Sequence, residues 1–153
     1  MKAVIQRVKN AEVCVEGKII GKINEGLLVL LGVYEDDTSF DTEILASKIS
    51  ALRIFCDEND KMNLSVKDID GEVLVISNFT LCADTKKGNR PSFTPAKEPT
   101  VAEAEYEKFC SILLENGVKK VEKGSFGADM KVSLLNDGPV TIILDTEIWR
   151  KQK

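Results

Sequence analysis

The sequence predicts an α+β fold in which a mostly antiparallel, barrel-like β-sheet packs against two helices. Segments of strand length occur in pairs and triplets, whereas only two segments have helical periodicity, and this distribution is typical of α+β domains. The chain has 153 residues and shows no internal repeat and no linker-like stretch. We therefore expect one domain over residues 1–153, with residues 146–153 as a possible flexible tail.

Strands are predicted in the first, middle and last parts of the chain. Near the start, Val13 and Val15 alternate around a cysteine, and residues 16–18 (EGK) indicate a hairpin turn. The run GLLVLLGV and the segment GEVLVISNFTL are typical of strands that are buried on both faces. Residues 118–144 are predicted to close the domain with further strands.

Two segments are predicted to be helices. Residues 39–52 carry apolar side chains at helical spacing, and Thr38 with Asp41 resembles a capping box at the start of this helix. A second capping box, Thr100 with Glu103, predicts the start of a helix that stops at an Asn-Gly pair. The apolar stripe of this second helix consists of Ala102, Tyr106, Phe109, Cys110 and Leu113.

Charge and composition exclude several classes of function. The chain has no histidine, so Ser-His-Asp and Cys-His catalysis are excluded, and any catalysis would use other side chains, backbone dipoles or groups of the substrate. The net charge of −4 argues against nonspecific binding of nucleic acid over the whole surface. The four cysteines are scattered, and we expect no metal and no cofactor. Without a signal peptide or an apolar run of about 18 residues, a cytoplasmic protein that does not contact membranes is expected.

One buried strand ends in the polar motif SNFTL, residues 77–81. The motif presents two hydroxyl groups, an amide and a phenyl ring, which could line a pocket or could merely satisfy nearby backbone groups. If the strand continues, Ser77 and Phe79 share one face of the sheet. Asn78 and Thr80 then share the opposite face, unless the chain bends there.

The motif NDGPVT, residues 136–141, places a Gly-Pro pair between two apolar stretches that both favour strand structure. Proline has no N–H group for a sheet ladder, so Gly138 and Pro139 predict a turn or a bulge. The alternative is a rigid feature directed at a ligand, because glycine permits a close approach of the backbone and a prolyl bond can be cis. The residues alone leave both readings open.

Basic residues occur at two places of interest. Lys86, Lys87 and Arg90 lie in KKGNRPSF, which is either a solvated loop or a patch that contacts phosphate. Arg7 lies within an apolar strand, where its side chain would project to solvent or would donate to carbonyl or carboxylate oxygens inside the protein.

Seven motifs together resemble the D-aminoacyl-tRNA deacylases, also called D-tyrosyl-tRNA deacylases. They are IQRV, GLLVLLGV, RIF…KMN, SNFTL, GNRPSF, FGADM and NDGPVT, in an order and at separations similar to those of the family, over nearly the whole chain. Two features depart from the family pattern. Asn78 stands where the family usually carries glutamine, and the segment after Leu144 is longer than in short members.

The resemblance implies a reaction and partners. The reaction would be hydrolysis of the ester between a D-amino acid and the 3′ end of tRNA, and achiral glycyl-tRNA would also be accepted. The partners would be tRNA, but not DNA, and a second copy of the chain in a homodimer with active sites at the interface. A cis Gly138-Pro139 motif inserted into the partner's pocket would reject L-aminoacyl groups by steric exclusion.

The resemblance also implies roles for individual residues. Arg7 would anchor the Gly-Pro motif, and Lys86, Lys87 and Arg90 are candidate tRNA contacts. Thr80 would be the catalytic side chain, as nucleophile or as orienting group; an alternative that we favour is activation of water by the ribose 2′-OH of the substrate, since no base for a threonine nucleophile is identified. The substrate-binding residues would be Ser77, Asn78, Phe79, Phe126, Met130, Gly138 and Pro139.

Two further hypotheses compete with a deacylase. A noncatalytic RNA-binding module would use the KKGNRPSF loop and would bind tRNA without turnover. A β-rich structural dimer would use its polar motifs only to satisfy backbone groups, and replacement of Thr80 or Gly138 would then change stability alone.

Overall fold

The computed structural model describes residues 1–151 of the chain. The strands are β1 (Lys2–Val15), β2 (Lys18–Ile23), β3 (Gly26–Gly32), β4 (Phe55–Cys56), β5 (Met62–Leu64), β6 (Glu72–Ser77), β7 (Lys120–Lys123) and β8 (Lys131–Asp145). The helices are α1 (Ser39–Ser50), α2 (Pro99–Glu115), a site 3₁₀ helix (Phe79–Cys82) and a C-terminal 3₁₀ helix (Thr146–Trp149). The predicted fold class, a barrel-like sheet with two helices, is confirmed.

Six strands form one strongly curled sheet with the order β2-β1-β3-β6-β7, in which β8 pairs with the other edge of β1. β1 is antiparallel to β2, β3 and β8, whereas the β3–β6 and β6–β7 pairs are parallel. The parallel pairs arise because α1 and α2 lie in the connections that lead into β6 and β7, and parallel neighbours need such crossovers. The sheet is therefore mixed, with antiparallel pairing around β1.

The first two strands form the predicted hairpin. β1 ends at Val15 and β2 begins at Lys18. The two turn residues, Glu16 and Gly17, have φ values of 50° and 76°. Positive φ at both positions is the geometry of the two-residue turns that match the twist of β-strands.

The core lies on both faces of β3 and β6, as predicted for wholly apolar strands. Alternate residues of these strands point to opposite sides of the sheet, so each strand contributes to two clusters. The cluster between the sheet and the helices includes Ile5, Leu27, Val29, Leu45, Ile49, Val73, Val75, Tyr106, Phe109 and Leu113. The cluster inside the curl of the sheet consists of Val8, Ala11, Val13, Ile23, Leu28, Leu74 and Ile76.

The cap at the start of α1 agrees with the prediction, but the cap of α2 does not. The Asp41 carboxylate accepts the backbone N–H of Thr38 at 2.8 Å. The predicted Thr100–Glu103 box at α2 is wrong, because the helix starts with Pro99 and the Glu98 carboxylate accepts the N–H groups of Thr100 and Val101, each at 3.1 Å. The five residues of the predicted α2 stripe are all buried.

The C-terminal segment is held against the start of the chain. The Thr146 side chain is fully buried, accepts a hydrogen bond from the Met1 amino group at 2.7 Å and donates one to Asp41 at 2.6 Å. Arg150 forms ion pairs with Asp36, Asp37 and Asp41. Residues 146–150, which the sequence assigns to a possible flexible tail, thus form a 3₁₀ helix and an ion-pair cluster, and residues 152–153 of that tail lie outside the described residues.

None of the helices within residues 1–151 combines the length and the apolar character that crossing a membrane requires.

Candidate active site

The SNFTL motif does not continue as a strand. β6 ends at Ser77, the chain bends at Asn78, and the site 3₁₀ helix follows. The bend is fixed from β3, because the Asn78 N–H donates to the Leu31 carbonyl at 2.8 Å. The 3₁₀ helix lies so close to β3 that a Cβ on Gly32 would come within 2.9 Å of the Leu81 Cβ. The strand alternation that would separate Ser77 from Thr80 is therefore absent, and these side chains lie around one corner of the fold.

Two adjoining clefts open at this corner and share Ser77, Phe79, Phe126 and Gly127 as lining residues. The apolar cleft has a volume of about 400 Å³ and extends towards the start of α2. Its other lining residues include Leu31, Val33, Phe93, Ala96, Pro99 and Ala102. The hydroxyl cleft has a volume of about 570 Å³, and its other lining residues include Asn78, Thr80, Asp129, Met130 and Val132.

Thr80 and Asn78 form a local polar pair in the hydroxyl cleft. The Thr80 hydroxyl donates to the amide oxygen Oδ1 of Asn78. An amide oxygen is not a base, so this contact orients the hydroxyl without activating it as a nucleophile. The asparagine side chain is long enough to make this contact.

Aromatic side chains form the wall between the two clefts. Phe79 is 57% exposed and packs edge to face against Phe93, with ring centroids 5.0 Å apart. Phe126 lies 6.1 Å from the ring of Tyr106, whose hydroxyl donates to the Val75 carbonyl at 2.7 Å. Burial raises the pKa of Tyr106 well above its ordinary range, so this phenol remains a neutral hydrogen-bond donor. The wall therefore combines an exposed ring, Phe79, with a ring supported by a buried tyrosine, Phe126.

Gly138 and Pro139 project from β8 in a bulge, which we call the Gly-Pro bulge (residues 137–140). The peptide bond between them is cis, and Gly138 has a φ of +135°. Both residues are exposed, whereas Val140 is buried and ties the bulge to the core. The positive φ explains the glycine, since a side chain at this angle is strained.

Arg7 supports the Gly-Pro bulge from within the protein. Its side chain is largely buried and donates from Nε to the Asp137 carbonyl at 3.0 Å and from Nη1 to the Ile54 carbonyl at 2.7 Å. Arg7 thus points inward, and it holds the residue immediately before Gly138.

The structure groups the predicted site residues into three separate places. Ser77, Asn78, Phe79, Thr80, Phe126 and Met130 lie together at the two clefts. Gly138, Pro139 and Arg7 lie at a second place, the Gly-Pro bulge and its anchor. Within the described single chain, neither cleft has these three residues among its lining residues.

The predicted basic residues lie at the third place, an exposed loop. Its base is closed by paired backbone hydrogen bonds between Asp84 and Ser92, at 2.8 and 2.9 Å. Lys86, Lys87 and Arg90 are exposed on the residues that this base encloses. The loop leads directly to Phe93, so it flanks the apolar cleft.

The site contains several residues to which the sequence motifs assigned no role. Phe93 belongs to the GNRPSF motif, and its contact with Phe79 could have been suspected from that motif. Asp129 lies in FGADM and lines the hydroxyl cleft, but its exposed carboxylate pairs with Lys131 at 3.1 Å. Gln6 and Asn136 belong to IQRV and NDGPVT, and their contacts around the Gly-Pro bulge appear only in the fold.

Solved structures share this fold. A structure titled c-Myc DNA Unwinding Element Binding Protein has a TM-score of 0.90 and 43% sequence identity, and the match covers 95% of this chain and 98% of that chain. A structure described as a probable eukaryotic D-amino acid tRNA deacylase has a TM-score of 0.80 at 15% identity, over 94% of this chain and 97% of that chain. The second likeness shows that the α+β architecture described above is also the fold of a probable tRNA deacylase.

Sequence comparison identifies the family. A family model described as D-Tyr-tRNA(Tyr) deacylase matches residues 4–145. A D-aminoacyl-tRNA deacylase of Thermotoga petrophila is 59% identical over 146 residues, which are 95% of this chain and 97% of the relative. One of Thermosipho africanus is 58% identical over 147 residues, 96% of this chain and 98% of the relative. The chain belongs to the D-Tyr-tRNA(Tyr) deacylase family, so the resemblance seen in the seven motifs and the prediction of an enzyme of this family are confirmed.

Proposed function

We propose that the protein hydrolyses the ester bond between a D-amino acid, or glycine, and the 3′ end of tRNA, and that it spares L-aminoacyl-tRNA. The observation that carries this proposal is a hydroxyl cleft and a projecting Gly-Pro bulge within one member of the deacylase family. Such an activity removes D-amino acids before they enter translation. We place it in the cytoplasm, where aminoacyl-tRNA is used.

The ester is already activated, so the protein has to position it rather than supply a strong base. Water adds to the carbonyl carbon, the bond from that carbon to the ribose 3′ oxygen breaks, and a proton passes to the released oxygen. Phe79 and Thr80 are the first two residues of the site 3₁₀ helix, so their backbone N–H groups have no acceptor within that helix. These N–H groups can therefore stabilise the oxyanion.

The proton chemistry is assigned to the substrate. The chain has no histidine, and the partner of the Thr80 hydroxyl is the amide oxygen of Asn78. A threonine without a base is a poor nucleophile. The ribose 2′-OH of the terminal nucleotide lies next to the ester and can activate water, while Thr80 orients the reacting groups.

Selection of the D-amino acid is assigned to the Gly-Pro bulge of a second copy of the chain. The bulge is exposed and lies apart from the clefts of its own chain, so a partner subunit is the natural recipient. Carbonyl groups held close to the α-carbon would leave room for hydrogen on one side and would clash with an L side chain. Glycine has no side chain and would pass.

The β8 strand supports a homodimer. It is 15 residues long and has only one strand partner within the described chain, so its outer edge is open. Leu135 and Ile143 on this strand are 56% and 66% exposed. A long, open edge with exposed apolar side chains favours pairing with another chain.

Contact with the tRNA backbone is assigned to the exposed loop that flanks the apolar cleft. Lys86, Lys87 and Arg90 supply three positive charges in a chain of net charge −4. Phosphate contacts of this kind position the nucleic acid and are weakened by salt.

The proposal is tested by paired deacylation time courses on D-Tyr-tRNA, L-Tyr-tRNA and Gly-tRNA with the purified protein. We expect rapid release of tyrosine from the D ester, hydrolysis of the glycyl ester, and persistence of the L ester at the rate of the enzyme-free control. Hydrolysis of both D and L esters would leave an esterase without chiral selection and would contradict the role of the Gly-Pro bulge.

Binding without turnover is the second candidate function, and the exposed basic loop is the observation that favours it. One solved structure with this fold is titled as a protein that binds a DNA element, and that title describes binding by that protein. If this chain bound tRNA or DNA but left all three esters intact, a nucleic-acid-binding module would replace the deacylase. Its affinity would then fall steeply with salt concentration.

A further inference from the structure

Polar side chains lie at the base of the Gly-Pro bulge. They take no part in the proposed chemistry, and they are not contacts of the Arg7 anchor. In β8, residues 137–140 lie opposite a single residue of β1. Gln6 pairs with Thr141 on one side of the bulge, and Val8 pairs with Asn136 on the other. A bulge of this size leaves ladder hydrogen bonds unmade, so strand pairing alone does not fix its direction.

Gln6 joins the two ends of the bulge through one atom. Its side-chain oxygen Oε1 accepts a hydrogen bond from Asn136 Nδ2 and another from Thr141 Oγ1. Asn136 in turn accepts the backbone N–H of Val140 at 3.0 Å through its oxygen Oδ1. These three side chains, Gln6, Asn136 and Thr141, form a polar clasp that closes the base of the bulge.

The polar clasp and Arg7 act from opposite sides of β1. Consecutive residues of a strand point to opposite faces, so Gln6 and Arg7 diverge. The Arg7 side chain reaches the carbonyls of Asp137 and Ile54 on the helix side of the sheet. Gln6 lies on the other face, together with Val8 of the cluster inside the curled sheet. A bulge held from one face alone can tilt about that contact, whereas contacts on both faces fix its inclination.

We propose that Gln6 is a positioning residue that determines chiral selection, because it holds Asn136 and Thr141 and thereby sets the inclination of the Gly-Pro bulge. This inference rests on the proposed function. Gln6 does not touch the substrate, and it acts through the bulge. Displacement of a group by about 1 Å in an active site can change a rate by about 100-fold, so a small tilt is sufficient to alter selectivity.

The test is the ratio of kcat/KM for D-Tyr-tRNA to that for L-Tyr-tRNA in the full-length protein. Gln6→Leu removes the acceptor of both hydrogen bonds at similar side-chain volume. We expect the D-to-L ratio to fall by about tenfold or more. Gln6→Glu, a separate single substitution, retains acceptor oxygens for Asn136 and Thr141. We expect its D-to-L ratio to stay within about twofold of the wild-type value.

A control separates positioning from stability. Ile5→Val lies next to Gln6 in β1, removes one methylene group from the core and leaves the polar clasp intact. We expect it to lower Tm without changing the D-to-L ratio. If Gln6→Leu and Ile5→Val lower Tm alike and both retain the wild-type ratio, Gln6 is a structural residue only and the inference is wrong.

A second variant keeps the inference testable if Gln6→Leu does not fold. Thr141→Val removes one of the two donors to Gln6 at an exposed position, and we expect a decrease of the ratio in the same direction. An unchanged ratio in Thr141→Val would then overturn the inference. A wild-type protein that hydrolyses neither ester would instead overturn the proposed function, and with it the role of Gln6.

Discussion

Gly138 is a position where a single added methyl group should displace the Gly-Pro bulge. Its φ of +135° disfavours any other residue, and a Cβ would lie 2.9 Å from the Val140 Cγ2 and 3.1 Å from Arg7 Nη2. We therefore expect Gly138→Ala to fold but to displace the Gly-Pro bulge from Arg7, with a loss of about 100-fold in kcat/KM for D-Tyr-tRNA.

The matched control for Gly138→Ala is Gly17→Ala. Gly17 also has a positive φ, 76°, but no atom lies within 4 Å of the added Cβ. It should cost about 1 kcal/mol of stability and leave the deacylation rate unchanged. A wild-type rate in folded Gly138→Ala, measured in the same assay, would contradict a role of the bulge in turnover.

Thr80 distinguishes two ways of breaking the ester. If the ribose 2′-OH activates water and Thr80 only orients, Thr80→Val removes one hydrogen bond and should lower kcat by about tenfold. A nucleophilic threonine would instead be indispensable. Single-turnover rates, compared with those of Thr100→Val at the exposed start of α2, measure the difference. Complete loss of turnover with tRNA binding intact would favour the nucleophile.

At the scale of elements, Arg150 ties the end of the C-terminal 3₁₀ helix to three aspartates around the start of α1. Arg150 donates to Asp41 at 2.8 Å and also pairs with Asp36 and Asp37. The side chains of Asp37 and Asp41 are 0% and 2% exposed, so their charges need a partner. We expect Arg150→Ala to lower the free energy of unfolding by about 2 kcal/mol at pH 7, measured by urea denaturation.

A surface ion pair provides the comparison for Arg150. Lys108 contacts Glu43 at 3.0 Å, and both side chains are exposed. Lys108→Ala should change the free energy of unfolding by less than about 0.5 kcal/mol. Equal effects of the two substitutions would show that burial of the carboxylates does not strengthen the Arg150 cluster.

The Arg150 cluster also predicts a pH dependence. Burial alone would raise the pKa of Asp41, but hydrogen bonds from Arg150 and Thr146 outweigh it and hold the pKa below its ordinary value of 3.8. Unfolding therefore allows Asp41 to bind a proton more tightly. Its contribution to stability is fully present above pH 3.8 and is lost as the pH falls towards the lower pKa of the folded state.

The difference in stability between the wild-type protein and Arg150→Ala should accordingly narrow as the pH falls below 3.8. Asp37 adds to this narrowing, because burial raises its pKa and the carboxylate is therefore protonated at a higher pH than an exposed aspartate. Once protonated, Asp37 no longer attracts Arg150. Urea denaturation at pH 7, 5 and about 3 measures the trend. A constant difference over this range would show that Arg150 acts through packing rather than charge.

At the scale of the whole molecule, the open edge of β8 predicts a dimer whose loss abolishes activity. Ile143 is 66% exposed on that strand, and Ile143→Glu would place a charge at the edge. We expect the wild-type protein to elute as a dimer in size-exclusion chromatography with light scattering. Ile143→Glu should be monomeric, folded and inactive on D-Tyr-tRNA.

Ile148→Glu is the control for the dimer. Ile148 is 70% exposed but belongs to the C-terminal 3₁₀ helix instead of β8. It should remain dimeric and active. A fully active monomer of Ile143→Glu would show that each chain has a complete site of its own, which would contradict an active site shared between subunits.

Local patterns of residues were enough to predict most helices and strands, and the motifs were enough to predict the family. Helices and strands were predictable because their hydrophobic periodicity is local, as in the buried stripe of α2 and the two-faced burial of β3 and β6. The α2 cap was mispredicted because Glu98 and Thr100–Glu103 both offer capping chemistry, and local sequence does not rank them. The parallel pairing of β3 with β6 depended on where the connecting helix returned the chain.

The arrangement of the site depends on contacts between segments that lie far apart in the chain. Arg7 and Asp137 are 130 residues apart in the chain, as are Gln6 and Asn136, and no periodicity links such distant positions. The bend at Asn78 likewise depends on Leu31 and Gly32 of a neighbouring strand. Periodicity reports which residues are buried, whereas the direction of a hydrogen bond depends on which segments the fold brings together. The residues of the site were therefore predictable from their motifs, but their arrangement was not.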